Sequence, residues 1–342
     1  MKALVLPLLL IAASCTGVYR MTIEVQEPAP VTLPPDIAGI LLVDNSAQQA
    51  GSQGVVLTYN GKAVPDYALH PDSVLRNTLL SSLQHLHAAQ FFNTASLYNR
   101  AVRDDKEWMT TIPLPEEFRA AAFEKPDIDG IVSIDRSLLK VEGLIKNNSL
   151  HPGFGASTYV DFRTTLHLTC SIYLYGGETP PATFTVTDSL NYKSTLWGDS
   201  LFFFNELPGL LLDELAYRTG ESLAARITPS WTLRERTLYR GPDARMQEAF
   251  AYAKTRRWDV AGSLWLAEWD KRTKRRDKAR IANNLAVANE MRDQLETALH
   301  WAEQARAYAA PGSAEQTLAG EYAESLQQRM QDSRLLDIQW GK

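Results

Sequence analysis

Residues 244–310 read ARMQEAFAYAKTRRWDVAGSLWLAEWDKRTKRRDKARIANNLAVANEMRDQLETALHWAEQARAYAA. Laid on itself at a step of 37 residues, this stretch sets Ala249 on Ala286, Tyr252 on Asn289, Ala261 on Ala298, Trp265 on Ala302 and Glu268 on Ala305. Small residues at these spacings let two antiparallel helices approach closely, while Leu285, Leu295 and Trp301 fill the space around the contact. A helical hairpin of this kind cannot bury its own apolar face and has to stack on a neighbour. The pattern therefore predicts a tetratricopeptide-like helical domain over residues 244–342. The basic run from Lys271 to Arg280 absorbs the excess over the usual period of about 34 residues. Ala314 to Leu336 carries Leu318, Tyr322, Leu326 and Met330 every four residues, a face suited to capping the last repeat. A plain helical bundle is the alternative for the same pattern.

Upstream, residues 231–243 read as a junction, and residues 36–230 as an α/β domain. Ile37 to Val43 is an apolar strand closed by the turn Asp44-Asn45-Ser46, and Gln48 to Pro65 is a polar, Gly-rich surface loop. Asp72 starts a helix whose apolar face is Val74, Leu75, Leu79, Leu80, Leu83 and Leu86. Phe91 to Tyr98 and Ile128 to Ile134 are further strands, with a helix from about Pro115 between them. The pattern then changes. Thr164 to Tyr175 alternates, with Cys170 on the apolar face as a packed thiol; Gly176-Gly177 turns the chain and Ala182 to Trp197 is strand. Leu210 to Ile227 returns to helix, which Pro229 ends. The expected fold is an α/β N-terminal domain with an antiparallel strand extension, followed by an all-α tetratricopeptide-like helical repeat domain.

A length of 342 residues accommodates two such domains. Contents of 45% apolar and 22% charged residues argue against general disorder, and a net charge of -5 provides no global basis for binding nucleic acid. At the N-terminus, Met1-Lys2 precedes an apolar run from Ala3 to Ala13, too short to span a bilayer but suited to a signal-peptide core. Ala12-Ala13-Ser14 and Cys15 follow, and the whole resembles a bacterial lipoprotein signal, with Ala12 standing where Leu is usual. That resemblance implies removal of residues 1–14, acylation (palmitate) of Cys15, and a place in the cell envelope. The outer membrane facing the periplasm is expected in preference to the inner membrane. Ordinary secretion with a free Cys15, or a buried N-terminal strand, are the alternatives. Residues 15–35, with Pro28, Pro30, Pro34 and Pro35, read as an extended tether in which Arg20 to Gln26 forms a short edge strand. An acylated Cys15 leaves Cys170 without an intramolecular partner.

The Cys15 leader, Pro30-Val31 through Pro34 followed by Ile37 to Ser46, and the Asp129-Gly130 strand form one set of features. Pro229-Ser230-Trp231 with Arg236 and Tyr239, and Asn284-Leu285-Ala286-Val287-Ala288, complete it. In this order they resemble the DUF6340 family, uncharacterised lipoproteins of Bacteroidota with a C-terminal tetratricopeptide-like region. The resemblance extends over nearly the whole mature chain and implies no enzyme activity, since the family has no catalytic residues to carry over. The α/β half is also similar in layout to α/β domains of outer-membrane assembly lipoproteins, such as those of the curli secretion channel. No long amphipathic hairpin for a barrel is evident, so no pore is expected.

The search for chemistry assigns no catalytic, cofactor-binding or metal-binding residue. His85 and His87, the closest pair of histidines, fall about 200° apart on a helix, and zinc needs three or four ligands. Asp44, Asp129 and Asp135 flank strand ends, where carboxylates act in many α/β folds, but turn and cap roles account for them. Ser14 and Ser133 lack a Gly-x-Ser-x-Gly context, no phosphate-binding glycine motif occurs, and Gly153-Phe154-Gly155 is a loop. Lys271, Arg272, Lys274, Arg275 and Arg276, with Lys278 and Arg280, form a candidate surface for anionic lipid headgroups or an acidic partner, a solvated loop being the alternative. Trp258 and Trp269 are candidate exposed anchors for a partner, and Trp265 and Trp301 are core. The expected function is a lipid-anchored envelope scaffold or adaptor, not an enzyme, that binds an envelope protein or peptide through its helical domain and holds its α/β domain near the membrane. An envelope enzyme using the strand-end carboxylates, or a structural subunit of a homo-oligomeric assembly, are the alternatives.

Overall fold

A computed structural model describes residues 17–64, 69–147, 157–177, 182–197, 207–241 and 243–341. Cys15 and Gly153-Phe154-Gly155 lie outside the described residues. The chain divides into two compact units, Pro28–Ser230 with Ile338–Lys342, and Met1–Glu27 with Trp231–Asp337.

The first unit is α/β. Its central strand, β2 (Gly39–Asp44), is apolar on both faces: Ile40 and Leu42 enter one core, Leu41 and Val43 another. A strand buried on both sides needs parallel neighbours and cover above and below. β5 (Thr94–Leu97) and β6 (Gly130–Asn147) flank it in parallel, Ile40 lying opposite Ala95 and Gly130. Further along, β6 pairs in parallel with β3 (Val55–Tyr59), which carries the short antiparallel β4 (Lys62–Ala63). On its other edge β6 pairs antiparallel with β7 (Ser157–Leu174), and β7 with β8 (Ala182–Trp197). Among the described residues three helices belong to this unit: α1 (Pro71–Ala89), α2 (Glu116–Phe123) and α3 (Leu207–Ile227).

Two sequence expectations are corrected. Gln48 to Pro65 is not wholly surface loop, since it contains β3 and β4; residue 65 itself lies outside the described residues. The strand expected to end at Ile134 runs on to Asn147 through a bulge between Ile134 and Arg136. Both follow from pairing with distant segments, which local composition does not show. The resulting β6–β7 hairpin has strands of 18 residues each, longer than the alternation alone implied. α1 and α3 pack so closely that a Cβ on Gly220 would lie 2.5 Å from Ser81 Cβ and 2.7 Å from the Thr78 carbonyl oxygen.

The second unit is helical: α4 (Ala244–Lys254), α5 (Trp258–Trp269), α6 (Arg275–Glu290), α7 (Leu295–Tyr308) and α8 (Ala314–Gln339), the last to residue 337. Asp243 caps α4 by accepting the Met246 N–H at 3.0 Å. The 37-residue step holds in three dimensions. Ala249 and Ala286, Ala261 and Ala298, Trp265 and Ala302, and Glu268 and Ala305 are all buried. The turns match as well: Arg256 and Asp293 both adopt left-handed backbone, φ 60° and 57°. The Arg257 N–H then bonds the Tyr252 carbonyl at 3.0 Å, and Gln294 N–H the Asn289 carbonyl at 2.9 Å.

The same unit contains β1 (Val18–Glu27) and β9 (Ser230–Tyr239), which form a two-stranded sheet. Arg240 N–H bonds the Gly17 carbonyl and Thr232 Oγ1 the Val25 carbonyl, so the strands run antiparallel. The short edge strand expected at Arg20 to Gln26 is present and longer, so that half of the expected tether is strand, and the expected junction at 231–243 is largely strand too. Ile23, Val25, Arg236 and Leu238 point inward and are buried.

Candidate functional site

In the helical unit, α6 presents two adjacent asparagines to β9. Asn283 Nδ2 donates to the Thr237 carbonyl at 2.7 Å. Asn284 reads both backbone groups of Tyr239, accepting its N–H at 2.8 Å and donating to its carbonyl at 2.7 Å. Leu238 sits between them in the core, fully buried. The α6 surface that could hold an extended segment thus holds the chain's own strand.

Beside this contact lies a buried charge cluster. Glu290, at the end of α6, accepts Arg236 Nε at 2.7 Å and Nη2 at 2.8 Å, Tyr322 Oη at 2.7 Å and Arg329 Nη1 at 2.8 Å. The Arg236 guanidinium also stacks over the Tyr322 ring, 4.8 Å from its centroid. Burial alone would raise the Glu290 pKa, but the hydrogen bonds and charge of Arg236, with help from Tyr322 and Arg329, hold it below the usual carboxylate range. The same environment, burial first and the Glu290 charge second, pushes the Tyr322 phenol well up. A cleft of about 260 Å³ opens over Arg236 and Tyr322, rimmed by Glu235, Thr237, Leu318, Glu321 and Ser325. Leu318 is 45% exposed there.

The residues expected to contact partners are placed differently from the expectation. Trp258 is buried, and Trp269 is half-buried, its ring edge-on to Trp301 and Tyr308 at 5.1 Å each with Lys278 Nζ above it at 4.8 Å. Neither is an exposed anchor. Trp265 lies in the core as expected. The basic stretch is not a loop throughout, because Arg275 to Arg280 form the first turns of α6. Four of its seven cations are matched to carboxylates within the chain. Lys271 bonds Glu268 at 3.0 Å, and Arg272 bridges Asp243 at 2.5 Å and Glu268 at 2.7 Å. Arg276 and Arg280 share Glu315 at 3.4 and 2.6 Å, and Arg275 donates to the Ala307 carbonyl. Hydrogen bonds from Lys271 and Arg272 lower the Glu268 pKa; at Glu315 the pairing with Arg280 and Arg276 outweighs burial to the same effect. Lys274, at the N-cap of α6, has no ion-pair partner among the described residues.

The three strand-end carboxylates of the α/β unit are dispersed. Asp129 accepts the backbone N–H groups of Ala38 and Gly39 at 2.9 Å, fastening the entry to β2. Asp135 is buried among Ser133, Ser171 and Asn45, whose donors lie at 2.7, 2.5 and 3.0 Å. Asp44, at the carboxyl end of β2, opens on a pocket of about 190 Å³ with Asp72, Arg76, Tyr98 and Arg100. Burial raises its pKa despite hydrogen bonds from Ser46, and Asp72 adds to the rise. His85 bonds the Ser81 carbonyl and His87 the Ala95 carbonyl, and among the described residues no group of three or more His, Cys, Asp or Glu could hold a metal. Cys170 is fully buried, which pushes its thiol pKa far up.

Arg236 stands out in the sequence only as part of a family resemblance; its pairing with Glu290 does not, because the two lie 54 positions apart, on a strand and a helix whose meeting nothing local announces. Asn284 was visible inside a run of small residues, but its side-chain role was not.

Two family models match the chain. One, described as Domain of unknown function (DUF8603), matches residues 37–239, and the chain belongs to that family. The other, Domain of unknown function (DUF6340), matches residues 247–328, confined to the helical region rather than extending over nearly the whole mature chain. No curated protein matches the chain. Among the described residues no helix is long and apolar enough to cross a membrane.

Proposed function

We propose that this DUF8603-family chain is a lipid-anchored scaffold or adaptor of a bacterial envelope, acylated at Cys15, with a tetratricopeptide-like helical unit that holds a protein partner. The reading keeps the expected setting, an outer membrane of the Bacteroidota type with the protein facing the periplasm. The observation that carries it is the 37-residue helical hairpin, repeated in buried positions and in turn geometry alike. Stacked hairpins of this type are built to present an extended surface. Since β9 already lies along α6, the partner segment takes the neighbouring cleft, where the acidic Glu321 and the exposed Leu318 favour a basic segment with an apolar side chain.

The test is in-cell crosslinking, affinity capture and mass spectrometry, comparing the full chain with the double variant Leu318→Asp, Glu321→Lys. A form truncated at Gly241 would be uninformative, because it strips α6 from Leu238 and exposes a core residue. An envelope protein captured by the parent and lost from the variant supports the adaptor. An identical catch from both sinks the cleft as the recruiting surface.

A second reading rests on Asp44, a strand-end carboxylate that opens on a pocket and has a raised pKa. Crevices at the carboxyl ends of parallel strands are where α/β folds bind small ligands and do chemistry. If Asp44→Asn folds normally and leaves the cellular phenotype unchanged, that enzyme reading is rejected.

A further inference from the structure

The first described residues are strand in the helical unit. Val18, the start of β1, is three residues beyond Cys15, so an acyl chain there is held within about 11 Å of β1, at no more than about 3.6 Å of chain per residue. A tether of 20 residues would release the next folded element from the bilayer. A reach this short presses the surface around β1 against it.

That surface has the composition of a membrane interface. Val18 and Tyr19 are 41% and 39% exposed. Tyr19 packs edge-on against Phe250 of α4, centroids 5.5 Å apart, and Lys254 Nζ lies over its ring at 5.8 Å. Tyrosine is favoured at the level of lipid headgroups, with apolar body and polar tip. Lys254 opens the turn Lys254-Thr255-Arg256-Arg257, whose three cations are exposed and have no ion-pair partner among the described residues. Asp259 and Glu248 are the nearby acids in sequence, leaving the turn cationic. The contrast with 271–280 is informative. There Lys271, Arg272, Arg276 and Arg280 are matched to Glu268, Asp243 and Glu315; here no cation meets a carboxylate among the described residues, Lys254 and Arg257 lying only over the rings of Tyr19 and Tyr252.

We infer that Tyr19, Phe250 and the Lys254–Arg257 turn seat the helical unit on an anionic phospholipid surface, beside the chain's own acyl anchor. The inference rests on acylation of Cys15 as proposed above. Basic side chains near an anionic surface add to the hold of such an anchor and orient the protein on it.

The test uses the full-length acylated protein in vesicles of phosphatidylcholine and phosphatidylglycerol with brominated acyl chains. An environment-sensitive fluorophore is placed on Thr255→Cys, within the turn, or on Glu303→Cys, exposed on α7. The buried Cys170 does not compete for the label. The expected result is blue-shifted, bromine-quenched emission at 255 and not at 303. Adding Arg256→Glu and Arg257→Glu should weaken the quenching at 255 about fivefold for each charge removed. Equal, unquenched emission at the two sites, with mass spectrometry showing an acylated Cys15, overturns the inference while leaving the anchor in place. Quenching at 255 that ignores the charge reversals overturns the electrostatic part. An unmodified Cys15 overturns the anchoring reading itself, and the inference with it.

Discussion

The Arg236 guanidinium and the Glu290 carboxylate meet two on two, at 2.7 and 2.8 Å, with both side chains buried. Paired forks of this geometry are the strongest form of charged hydrogen bond, and they tie β9 to α6 where no local sequence signal does. Burial makes the pair valuable only while it is complete: a lone charge left in its place carries the full desolvation penalty.

Glu290→Gln is therefore expected to destabilise the helical unit by about 3–5 kcal/mol, measured by denaturant unfolding. The folded-state pKa of Glu290 is lowered, so its contribution is complete above the unfolded value of about 4.3 and is lost as pH falls through the folded value. Stability of the parent should drop on acidification in that window. The variant should lack that part of the drop. Parallel acid profiles would contradict the assignment.

Asn284→Ala removes the side chain that satisfies the N–H and carbonyl of buried Tyr239. Each orphaned group costs about 1–3 kcal/mol. Hydrogen exchange at the Tyr239 amide should accelerate sharply, with little change at Ala286, two residues along α6. Unchanged exchange at Tyr239 would mean that the latch is not what holds β9.

At Gly220 the close approach of α3 to α1 leaves no room for a methyl group. Gly220→Ala should lower stability by about 1–3 kcal/mol through overpacking, despite the better helix propensity of alanine. A rise in Tm would show that the two helices separate freely.

Asp293 is in left-handed backbone at the tight turn between α6 and α7, where an L side chain costs roughly 1–2 kcal/mol. Asp293→Gly should stabilise the helical unit by up to about 1 kcal/mol, the unfolded-state entropy of glycine offsetting part of the relief. The ion pair of Asp293 with Arg329 at 3.8 Å is exposed on the Asp293 side and subtracts little. A loss of more than 1 kcal/mol would show that the side chain has a further role.

Legibility tracked the range of the interactions. The helix over Ala314 to Leu336, the antiparallel strand at Ala182 to Trp197 and the core position of Trp265 were readable because each follows from a repeat of two, three or four residues. Trp258 was misread because its fate depends on helix-to-helix packing rather than on its own spacing. Lys271 and Arg272 read as a surface for an outside partner, although Glu268, three and four residues earlier, takes both. The pairing of Arg276 and Arg280 was not legible, since Glu315 lies 39 and 35 residues ahead on another helix.

By itself the sequence determined that this chain has an α/β part and a helical part built on a 37-residue step, because small and apolar residues at fixed intervals choose their secondary structure locally. Only the tertiary structure decided that residues 18–27 leave the expected tether to pair with 230–239, and that this ribbon lies on α6. Strand pairing over 200 residues, and a bidentate ion pair between a strand and a helix, are stabilised by burial and backbone geometry. Neither leaves a periodic trace along the chain.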